Sequence, residues 1–405
     1  MEYWNNGVMG SNSSTPALHT LIAQEKDGPV LSQEENELMT RVGPGTPAGE
    51  MLRRYWWPLA FTEALKPKGR PVKVRLLGED FVLFRDGGGK LGLLDLHCSH
   101  RGTSLEFGRV EDGGIRCCYH GWLYDSRGKC LEQPAEPEDS TFKDRIQHPA
   151  YHAQDAAGLV FAYIGPEPAP LLPAYDLLIR EDGSRVIGGG EEFCNWLQRA
   201  ENSTDGAHSI ALHAAGYPNM AMKRPKIQWE PTKFGVRETT WVDGVSKARI
   251  SHFVFPSHVR HSAARVGEKP RQVIRFRVPT DDTTTTTYWI DFYPDRDGQQ
   301  IEPRLKTRGF KKNTPGVYKR VQDEWWGLDT HEQDRVAQES QGLIADRTTE
   351  HLASSDQGII MMRKMVRDSI DAVRQGKDPI GVIRDPHENK LITFDSSRDI
   401  VAPLT

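Results

Sequence analysis

The chain has 405 residues, of which 37% are hydrophobic and 27% charged, and its formal net charge is −4 at pH 7. This length is sufficient for two domains with full cores, and the composition is that of a soluble globular protein. The basic residues form no long run, so nucleic acid is not an expected partner. The chain also has no apolar stretch long enough to span a membrane.

The N-terminal segment differs in composition from the rest of the chain. Residues 1–30 are rich in Asn, Ser and Gly and lack the basic start and apolar centre of a signal peptide, so they are predicted to be a loose extension. The chain has five cysteines, an odd number that argues against a disulfide framework. We therefore predict a reducing, cytoplasmic location.

Two helices are predicted next in the chain. Residues 32–42 and 48–60 have helical patterns, and the breaker GPGTP separates them, so residues 31–70 are predicted to be an N-terminal helical segment. From 71 to 165 the pattern changes to short β-like runs divided by Gly-rich turns. This part of the chain is predicted to be a small all-β domain.

A Pro-rich connector at 165–173 marks the predicted boundary of a second domain, residues 166–405. A helix-like stretch lies around 193–214, and helical patterns return at about 316–340 and 356–376. The strand candidates between these helices are 235–242, 247–256, 271–279 and 283–294. We predict an α+β domain, in which helices from both ends of this region pack on an antiparallel sheet.

Four potential metal ligands lie on loops of the all-β domain. They are Cys98, His100, Cys117 and His120, spaced C-x-H-x16-C-x2-H. Thiolates and imidazoles bind zinc or iron–sulfur clusters. Zinc fingers place both cysteines before both histidines, whereas the two types alternate here, which favours a diiron cluster with two Cys on one iron and two His on the other. Counting back from His120, the x2 spacing selects Cys117 and not Cys118.

The stretch CSHRG…CCYHGW resembles the Rieske [2Fe–2S] domain. The resemblance implies that Cys98 and Cys117 bind one iron and that His100 and His120 bind the other. Cys118 departs from the family pattern, which usually has proline at this position. Trp122 is predicted either to shield the cluster or to be an ordinary core residue. The remaining cysteines, Cys130 and Cys194, are predicted to be core thiols.

A second set of potential ligands lies in the α+β domain. Asp205, His208 and His213 form the pattern D-x2-H-x4-H. On an ideal helix two residues five positions apart differ by about 140°, so both histidines reach one metal only if the helix ends or bulges between them. Fe(II) that activates O2 commonly has two histidines and one carboxylate as ligands. The pattern does not decide which residue supplies the carboxylate, and the candidates are Glu339, Asp346, Glu350 and Asp356.

Residues 339–364 resemble the C-terminal part of the phthalate dioxygenase-like branch of the Rieske non-haem iron oxygenases. In that branch the carboxylate ligand is the Asp of an S-D pair that opens the last helix, so the resemblance implies Asp356, although such a pair is also an ordinary helix cap. The E-N-x2-D-x2-H-x4-H motif and the segment LSQEENELMTRVGPGTPAGEMLRRYWWP are typical of the same branch. The resemblance covers most of the chain except residues 1–30. It implies a helix-grip, START-like catalytic domain and head-to-tail homotrimers or dimers of trimers.

The family resemblance implies a terminal oxygenase that uses the cluster, Fe(II) and O2 to oxidise a small aromatic acid, by ring dihydroxylation, O-demethylation or aryl ether cleavage. Electrons would come from a separate NAD(P)H-dependent reductase carrying a flavin and a [2Fe–2S] cluster, since the chain has no dinucleotide-binding motif. Asp205 would bridge His120 of a neighbouring subunit and His208, and Asn202 would line the iron pocket. An anionic substrate would need an arginine.

Four arginines lie on strand candidates: Arg249, Arg271, Arg275 and Arg277. Alternation places Arg271, Arg275 and Arg277 on one strand face. Such a face more often points to solvent than to a pocket, so Arg249, Arg271 and Arg275 are only weak candidates for binding substrate. One alternative function is a Rieske monooxygenase that N- or O-demethylates a non-carboxylate substrate. An electron carrier or a zinc-stabilised binding module is the alternative from another class, and it leaves the second histidine motif unexplained.

Overall fold

The fold is built on three β-sheets, seen in a computed structural model of the chain. The structure describes residues 31–213, 223–242, 248–263, 271–295, 299–300, 302–319, 328 and 330–395. The predicted N-terminal extension, residues 1–30, lies outside the described residues.

Two short helices begin the described chain. Helix α1 (Gln33–Thr40) starts at Ser32, whose side chain accepts a hydrogen bond from the backbone of Glu35, while the Glu35 carboxylate accepts one from the Ser32 backbone. Helix α2 (Pro47–Leu52) is shorter than the predicted helix 48–60. The chain forms a strand from residue 57 instead, because Pro58 cannot continue a helical hydrogen-bond ladder.

A six-stranded antiparallel sheet and a four-stranded antiparallel sheet follow. The strands are β1 (Trp57–Phe61), β2 (Val72–Leu76), β3 (Glu79–Arg85), β4 (Leu91–Asp95), β5 (Arg109–Glu111), β6 (Gly114–Arg116), β7 (Leu123–Tyr124), β8 (Cys130–Glu132), β9 (Ala150–Ala156) and β10 (Leu159–Tyr163). The larger sheet has the order β1-β10-β9-β4-β3-β2, and the smaller one has the order β5-β6-β7-β8. The all-β character predicted for this part of the chain is therefore confirmed.

An eight-stranded sheet forms the second half of the fold. Its strands are β11 (Gly183–Glu192), β12 (Pro225–Thr232), β13 (Gly235–Val242), β14 (Arg249–Val254), β15 (His258–Ala263), β16 (Arg271–Pro279), β17 (Thr285–Pro294) and β18 (Leu305–Lys311). Their order is β12-β13-β14-β15-β16-β17-β11-β18, antiparallel except for the pair β11–β18. The strands predicted at 235–242 and 271–279 have these bounds in the structure.

Helices pack on this sheet from both ends of the region, as predicted for an α+β domain. They are α3 (Asp176–Ile179), α4 (Trp196–Glu201), α5 (His208–Ala211), α6 (Thr330–Glu339) and α7 (Gln357–Arg374). Short 3-10 helices lie at Thr62–Ala64, Leu105–Phe107, Phe142–Arg145, Asn202–Thr204, Ser354–Asp356 and Pro386–Glu388. Residues 320–327 and 329 of the helix predicted at 316–340 lie outside the described residues.

Two hydrophobic cores meet at the six-stranded sheet. Side chains alternate along β3, so that Phe81 and Leu83 enter a large core that extends into the eight-stranded sheet, while Val82 and Phe84 enter a small core around Cys98. The large core also includes residues of α7. One continuous core therefore joins the two halves of the chain. No helix among the described residues is both long and apolar enough to cross a membrane.

A buried ion cluster ties α4 to the C-terminal part of the chain. Glu201 accepts hydrogen bonds from Arg347 Nε at 2.7 Å and Nη2 at 2.8 Å, and from Arg363 Nε at 2.8 Å. Arg363 also pairs with Glu350, and Arg347 donates to Asn36 Oδ1 at 3.1 Å. Glu201 of the E-N-x2-D-x2-H-x4-H motif is thus held by the segment 339–364, which fixes the end of α4 just before the two histidines.

Loss of the Glu201 charge should destabilise the protein. We expect Glu201→Gln to lower the free energy of unfolding by about 3–5 kcal/mol, because Arg347 and Arg363 would be buried with less counter-charge. Denaturant titration followed by tryptophan fluorescence measures this loss. The control is Asp368→Asn, which removes an exposed ion pair with Lys364 and should cost at most about 1 kcal/mol.

The stabilisation by Glu201 should depend on pH. Burial by itself would raise the pKa of Glu201, but Arg347 and Arg363 hold that pKa below its usual range. Because the folded-state value is the lower one, the contribution is complete above the unfolded pKa of about 4.3 and is lost as the pH falls through the folded value. The difference between wild type and Glu201→Gln should therefore shrink only below about pH 4. A difference that stays constant down to pH 2 would contradict this assignment.

Candidate metal centres

The first candidate centre lies on two tight loops. One loop follows β4, where the Cys98 N–H donates to Thr103 O at 2.9 Å and the Gly102 N–H donates to Cys98 O at 2.8 Å. The other joins β6 to β7, where the Cys117 N–H donates to Trp122 O at 2.9 Å and the Gly121 N–H donates to Cys117 O at 3.1 Å. Each loop turns at a glycine with positive φ, 76° at Gly102 and 75° at Gly121, a conformation that other residues rarely adopt.

The two loops bring together the four ligands predicted from the sequence. The His100 and His120 rings lie 4.4 Å apart, and both the Cys98 and Cys117 side chains are buried. Nδ1 of His100 is buried and has no hydrogen-bond partner. A buried imidazole nitrogen without a partner, next to a second histidine and two thiols, fits a bound iron–sulfur cluster.

An aromatic side chain covers one side of this centre. The Trp122 ring stacks on His100 at 4.4 Å with an interplanar angle of 11°, so Trp122 shields the site as well as filling the small core. Cys118 is exposed, whereas Cys130 and Cys194 are fully buried, as expected for core thiols. Burial raises the pKa of Cys130 and Cys194, which keeps both thiols protonated.

The two adjacent cysteines allow a direct test of the ligand register. We expect Cys117→Ser to lose the visible absorption of the cluster and Cys118→Ser to keep it, because Cys117 is buried between the loops and Cys118 is exposed. Absorption spectra and iron content of the two purified variants measure this. Cys118→Ser is the matched control, and the opposite pattern of loss would overturn the register.

The second candidate centre is formed where the backbone breaks repeatedly. Helix α4 ends at Glu201, a 3-10 turn follows, and α5 starts at His208 and ends at Ala211. The helix thus ends before His213, which is the break that the five-residue spacing requires. The helix-like stretch predicted around 193–214 is therefore made of three short elements and not of one helix.

Two histidines and one aspartate converge at this centre. Among the described residues, the ligand atoms of His208, His213 and Asp334 all lie within 4.8 Å of one another. Asp334 Oδ1 is 3.3 Å from His213 Nε2 and 3.9 Å from His208 Nε2. Two atoms that each lie about 2.1 Å from one ion are about 3–4 Å apart, so this geometry fits a metal bound by two histidines and one carboxylate.

The carboxylate differs from the one expected, so the assignment to Asp356 is corrected. Asp356 Oδ2 accepts a hydrogen bond from the Ala353 N–H at 2.7 Å and thus closes the 3-10 turn Ser354–Asp356 that precedes α7. The following Gly358 packs closely on Thr204 and Trp229, where a Cβ atom would come within 2.3 Å of both residues. The S-D-Q-G segment therefore positions the turn before the histidines, and it does not supply a ligand.

The other three carboxylates considered also have structural partners. Glu339 pairs with Arg335 at 3.1 Å, Asp346 caps the turn at Thr348, and Glu350 pairs with Arg363. Asp334 was missed because it lies inside α6, among polar residues that carry no recognisable ligand spacing. The only local feature of α6 that indicates a site is the burial of polar residues such as Gln333.

Neighbouring side chains orient these three groups. Gln333 Oε1 lies 2.9 Å from His213 Nδ1 and can accept a hydrogen bond from its N–H, which leaves Nε2 directed towards Asp334. Asn202 Nδ2 lies 3.4 Å from Asp334 Oδ1, and Asn202 Oδ1 accepts a hydrogen bond from Arg277 at 3.2 Å. Asn202 therefore lies beside the candidate centre formed by Asp334 and the two histidines.

Asp205 occupies a position next to His208. Its Oδ1 accepts hydrogen bonds from the backbone of Ala207 and His208, at 3.0 and 3.2 Å, and its Oδ2 lies 3.5 Å from His208 Nδ1. The Asp205 side chain is 25% exposed. This carboxylate can therefore be reached from outside the chain while it touches the second nitrogen of a candidate ligand.

The electrostatics of the centre favour an ionised carboxylate. Burial alone would raise the pKa of Asp334, but His213 and His208 hold that pKa well below its usual range. Burial alone would lower the pKa of His208, yet Asp205 and Asp334 raise it. The site is therefore matched to a cation.

The face of the eight-stranded sheet beneath the metal centre carries charged residues. Glu238, Ser251, His261, Val273 and Asp291 lie opposite one another across five strands. Residues two positions away on the same strands share this face. They include Arg249, Arg271 and Arg275. The face lies against the ligand segment, since a Cβ atom on Gly206 would be 2.6 Å from Glu238 Oε1.

The arginines on this face are mostly buried, contrary to the expectation of a solvent-facing strand. The Arg271 and Arg275 side chains are 15% and 11% exposed. Asp291 lies 3.4 Å from Arg271 Nε but 3.8 Å from Arg275 Nη2, beyond hydrogen-bond distance. Within the described residues Arg275 makes no hydrogen bond, and its guanidinium lies 5.6 Å from the Trp289 ring centre. Burial lowers the pKa of Arg275, as expected for a cation without a full counter-charge.

The chain is similar in sequence to a known domain family and to known oxygenase subunits. Residues 55–149 match the family described as Rieske [2Fe-2S] domain. The chain is 37% identical over 385 residues to the 5,5'-dehydrodivanillate O-demethylase oxygenase subunit of a Sphingobium species, covering 92% of this chain and 88% of that protein. It is 36% identical over 375 residues to the phenoxybenzoate dioxygenase subunit alpha of Ectopseudomonas oleovorans, covering 85% and 87%.

A solved structure supports the architecture. NdmA of Pseudomonas putida CBB5 with caffeine aligns with a TM-score of 0.65 at 19% identity, covering 81% of this chain and 94% of that chain. At this identity the likeness concerns the fold alone. It supports the combination of a sheet-rich cluster-binding part with a second, larger α+β part, as predicted from the sequence.

Proposed function

The chain belongs to the Rieske non-haem iron oxygenases as an oxygenase subunit, and we propose that it oxidises small aromatic acids at an iron held by His208, His213 and Asp334. The reaction is O-demethylation, aryl ether cleavage or ring dihydroxylation. The observation that carries this proposal is the convergence of two histidines and one carboxylate over a sheet face with the buried, incompletely paired Arg275.

The family determines the cofactors. Rieske oxygenases use a [2Fe–2S] cluster, mononuclear Fe(II) and O2, so this chain is an oxidoreductase that requires all three. We assign Cys98 and Cys117 to one iron of the cluster and His100 and His120 to the other. When bound, the cluster supplies single electrons and the mononuclear iron supplies O2 activation at its open coordination positions.

The division of the chain follows from these assignments. We assign residues 71–165, together with β1, to the cluster-binding domain and residues 166–405 to the catalytic domain. Residues 31–70 otherwise form the helical N-terminal segment, and α1 contacts the catalytic part through Asn36 and Arg347.

The residues around the iron have distinct tasks. Gln333 holds the proton of His213 on Nδ1, so that Nε2 stays available as a ligand. Asn202 positions Asp334, and Arg277 positions Asn202. Arg275, assisted by Arg249 and Arg271, binds the substrate carboxylate and thereby holds the ring beneath the iron. A buried guanidinium suits this task because it offers a planar pair of donors to a carboxylate.

Members of this family typically work with separate ferredoxin or reductase proteins, and the two relatives described above are named for aromatic substrates. We propose that the donor here is a reductase with a flavin and a [2Fe–2S] cluster. We further propose a homotrimer or a dimer of trimers, in which His120 of one copy meets Asp205 of the next. The partial exposure of both side chains supports such a contact, since each is accessible on its own copy.

Product analysis with a panel of aromatic acids and their methyl esters tests this function. The iron-loaded protein is supplied with a reductase and ¹⁸O2. We expect oxidation of acids in preference to esters, with formaldehyde released from methoxylated rings, and the number of labelled atoms distinguishes mono- from dioxygenation. Equal oxidation of acids and esters would contradict the proposed substrate class.

The role of Arg275 can be tested in the same assay. We expect Arg275→Gln to raise the KM for acids about tenfold to a hundredfold, since a hydrogen bond to a charged group contributes about 1.5–3 kcal/mol. The KM for a methyl ester should not rise. The control is Arg304→Gln, which removes a half-exposed arginine paired with Asp295. An equal rise for acid and ester would show that Arg275 does not recognise the carboxylate.

A further inference from the structure

A histidine that belongs to neither metal centre lies on the sheet face beneath the second one. His261 of β15 is directly opposite Ser251 of β14 and Val273 of β16. Its side chain therefore points to the same face as Arg275, which lies two residues after Val273. Diagonal neighbours of this kind have Cβ atoms within about 8 Å of each other. His261 is partly buried, and the tasks assigned so far leave it unexplained.

The hydrogen bond of its ring decides the tautomer of His261. Nδ1 lies 3.1 Å from the carbonyl oxygen of Ser262, which can only accept. The proton of the neutral ring is therefore on Nδ1, and Nε2 presents a lone pair. Within the described residues Nε2 makes no hydrogen bond. His261 thus offers an unused acceptor, next to arginines that can only donate.

The surroundings keep this ring neutral. Burial and the guanidinium groups of Arg249 and Arg275 hold the pKa of His261 well below its usual range. A protonated ring would lose its acceptor, because both nitrogens of an imidazolium donate. The arginines on this face therefore preserve the lone pair on Nε2 at neutral pH.

His261 lies within reach of a ring held at the second metal centre. Across the sheet, Glu238, Ser251 and His261 lie opposite one another on three successive strands. Glu238 is the residue that lies against the ligand segment, at Gly206. Neighbouring strands are about 4.8 Å apart, so His261 lies about 10 Å across the sheet from Glu238. A substituted aromatic ring can span this distance.

We propose that His261 determines specificity for a ring hydroxyl, with Nε2 accepting a hydrogen bond from a phenol whose carboxylate is bound by Arg275. The preferred substrates are then hydroxylated aromatic acids. This inference rests on the proposed function, because it takes the arginine face as the substrate site. No covalent bond forms or breaks, and the phenol keeps its proton beside a neutral imidazole. An arginine cannot take this task, because a guanidinium has no acceptor.

Calorimetric binding measurements test this assignment. The purified full chain, loaded with iron and kept without a reductase so that no turnover occurs, is titrated with benzoic acid and with 3- and 4-hydroxybenzoic acid. We expect at least one hydroxy acid to bind about threefold to tenfold more tightly than benzoic acid, the gain from one neutral hydrogen bond. In His261→Phe, which keeps a ring but has no acceptor, this gain should disappear while benzoic acid still binds. A gain that persists in His261→Phe, or no gain in wild type, overturns the proposal.

The matched control is His252→Phe. His252 lies next to Ser251 on β14, so its ring is on the opposite face of the sheet, where Nε2 is 2.7 Å from Asp395 Oδ1. The gain from the hydroxyl should equal that of wild type in this variant. Loss of the gain in both variants would reflect a general effect on packing and would also overturn the assignment.

A second measurement needs no variant and covers the case in which His261→Phe does not fold. Fluorine is close to a hydroxyl in size but cannot donate a hydrogen bond. In wild type the fluorobenzoic acid matched to the preferred hydroxy acid should bind no more tightly than benzoic acid, and equal affinity of the fluoro and hydroxy acids overturns the proposal. Failure of the proposed function is distinguishable, because benzoic acid would then bind no better than its methyl ester.

Discussion

Asp334→Ala is expected to lose the mononuclear iron and nearly all oxygenase activity. The loss should exceed the roughly 10–100-fold that removal of a residue supporting a ligand costs, because Asp334 supplies the only carboxylate within 4.8 Å of both histidine ligand atoms in the described part of the chain. The cluster should remain, since its four ligands lie on other loops. Iron analysis should therefore fall from about three atoms per chain to about two.

Asp356→Ala is the matched control for this prediction. Its carboxylate closes the 3-10 turn before α7, so we expect a loss of about 1 kcal/mol in stability but full iron content and activity at a temperature where the protein is folded. If Asp356→Ala loses iron and Asp334→Ala retains it, the ligand assignment is wrong. The pair of variants thus separates the carboxylate expected from the sequence from the one found in the structure.

Asp205→Asn should leave both metals bound and reduce turnover by more than about a hundredfold. The amide can still accept hydrogen bonds from the backbone of Ala207 and His208, so the local turn is kept. What is lost is the negative charge 3.5 Å from His208 Nδ1, which orients that ring and is proposed to link it to His120 of a neighbouring copy.

The rate of cluster reoxidation distinguishes this role from a structural one. Pre-reduced protein mixed with substrate and O2 in a stopped-flow instrument should reoxidise its cluster slowly in Asp205→Asn, while iron content stays at the wild-type level. Asp346→Asn is a suitable control because Asp346 also caps a turn, at Thr348, but lies away from the metal centre. Reoxidation at the wild-type rate in Asp205→Asn would exclude the bridge.

The cluster site could be read from the sequence because its ligands are local. Each loop carries one Cys and one His within four positions, and a glycine closes each turn, so spacing and residue type together indicate the chemistry. The D-x2-H-x4-H pattern is local in the same way. Its requirement for a broken helix followed from geometry alone, and the structure has that break after Ala211.

The third ligand could not be read in this way. Gln333 lies 120 residues after His213, and Asp334 follows it inside an ordinary-looking helix. A long-range ligand has no fixed spacing, and the S-D pair at Asp356 was chosen by resemblance. Only the packing of α6 against the ligand segment decides which carboxylate faces the histidines.

The burial of the strand arginines likewise depends on the tertiary structure. Strand alternation correctly put Arg271, Arg275 and Arg277 on one face, but it could not say whether that face meets water or the metal centre. The answer depends on what lies over the sheet, and here that is the segment carrying Asn202, to which Arg277 donates a hydrogen bond. The sequence by itself therefore indicated the chemistry of the cluster ligands, because these ligands lie close together in the chain, and its motifs carried the resemblance to the family. The proposed carboxylate ligand and the proposed substrate face depend on contacts between distant segments, which only the folded chain brings together.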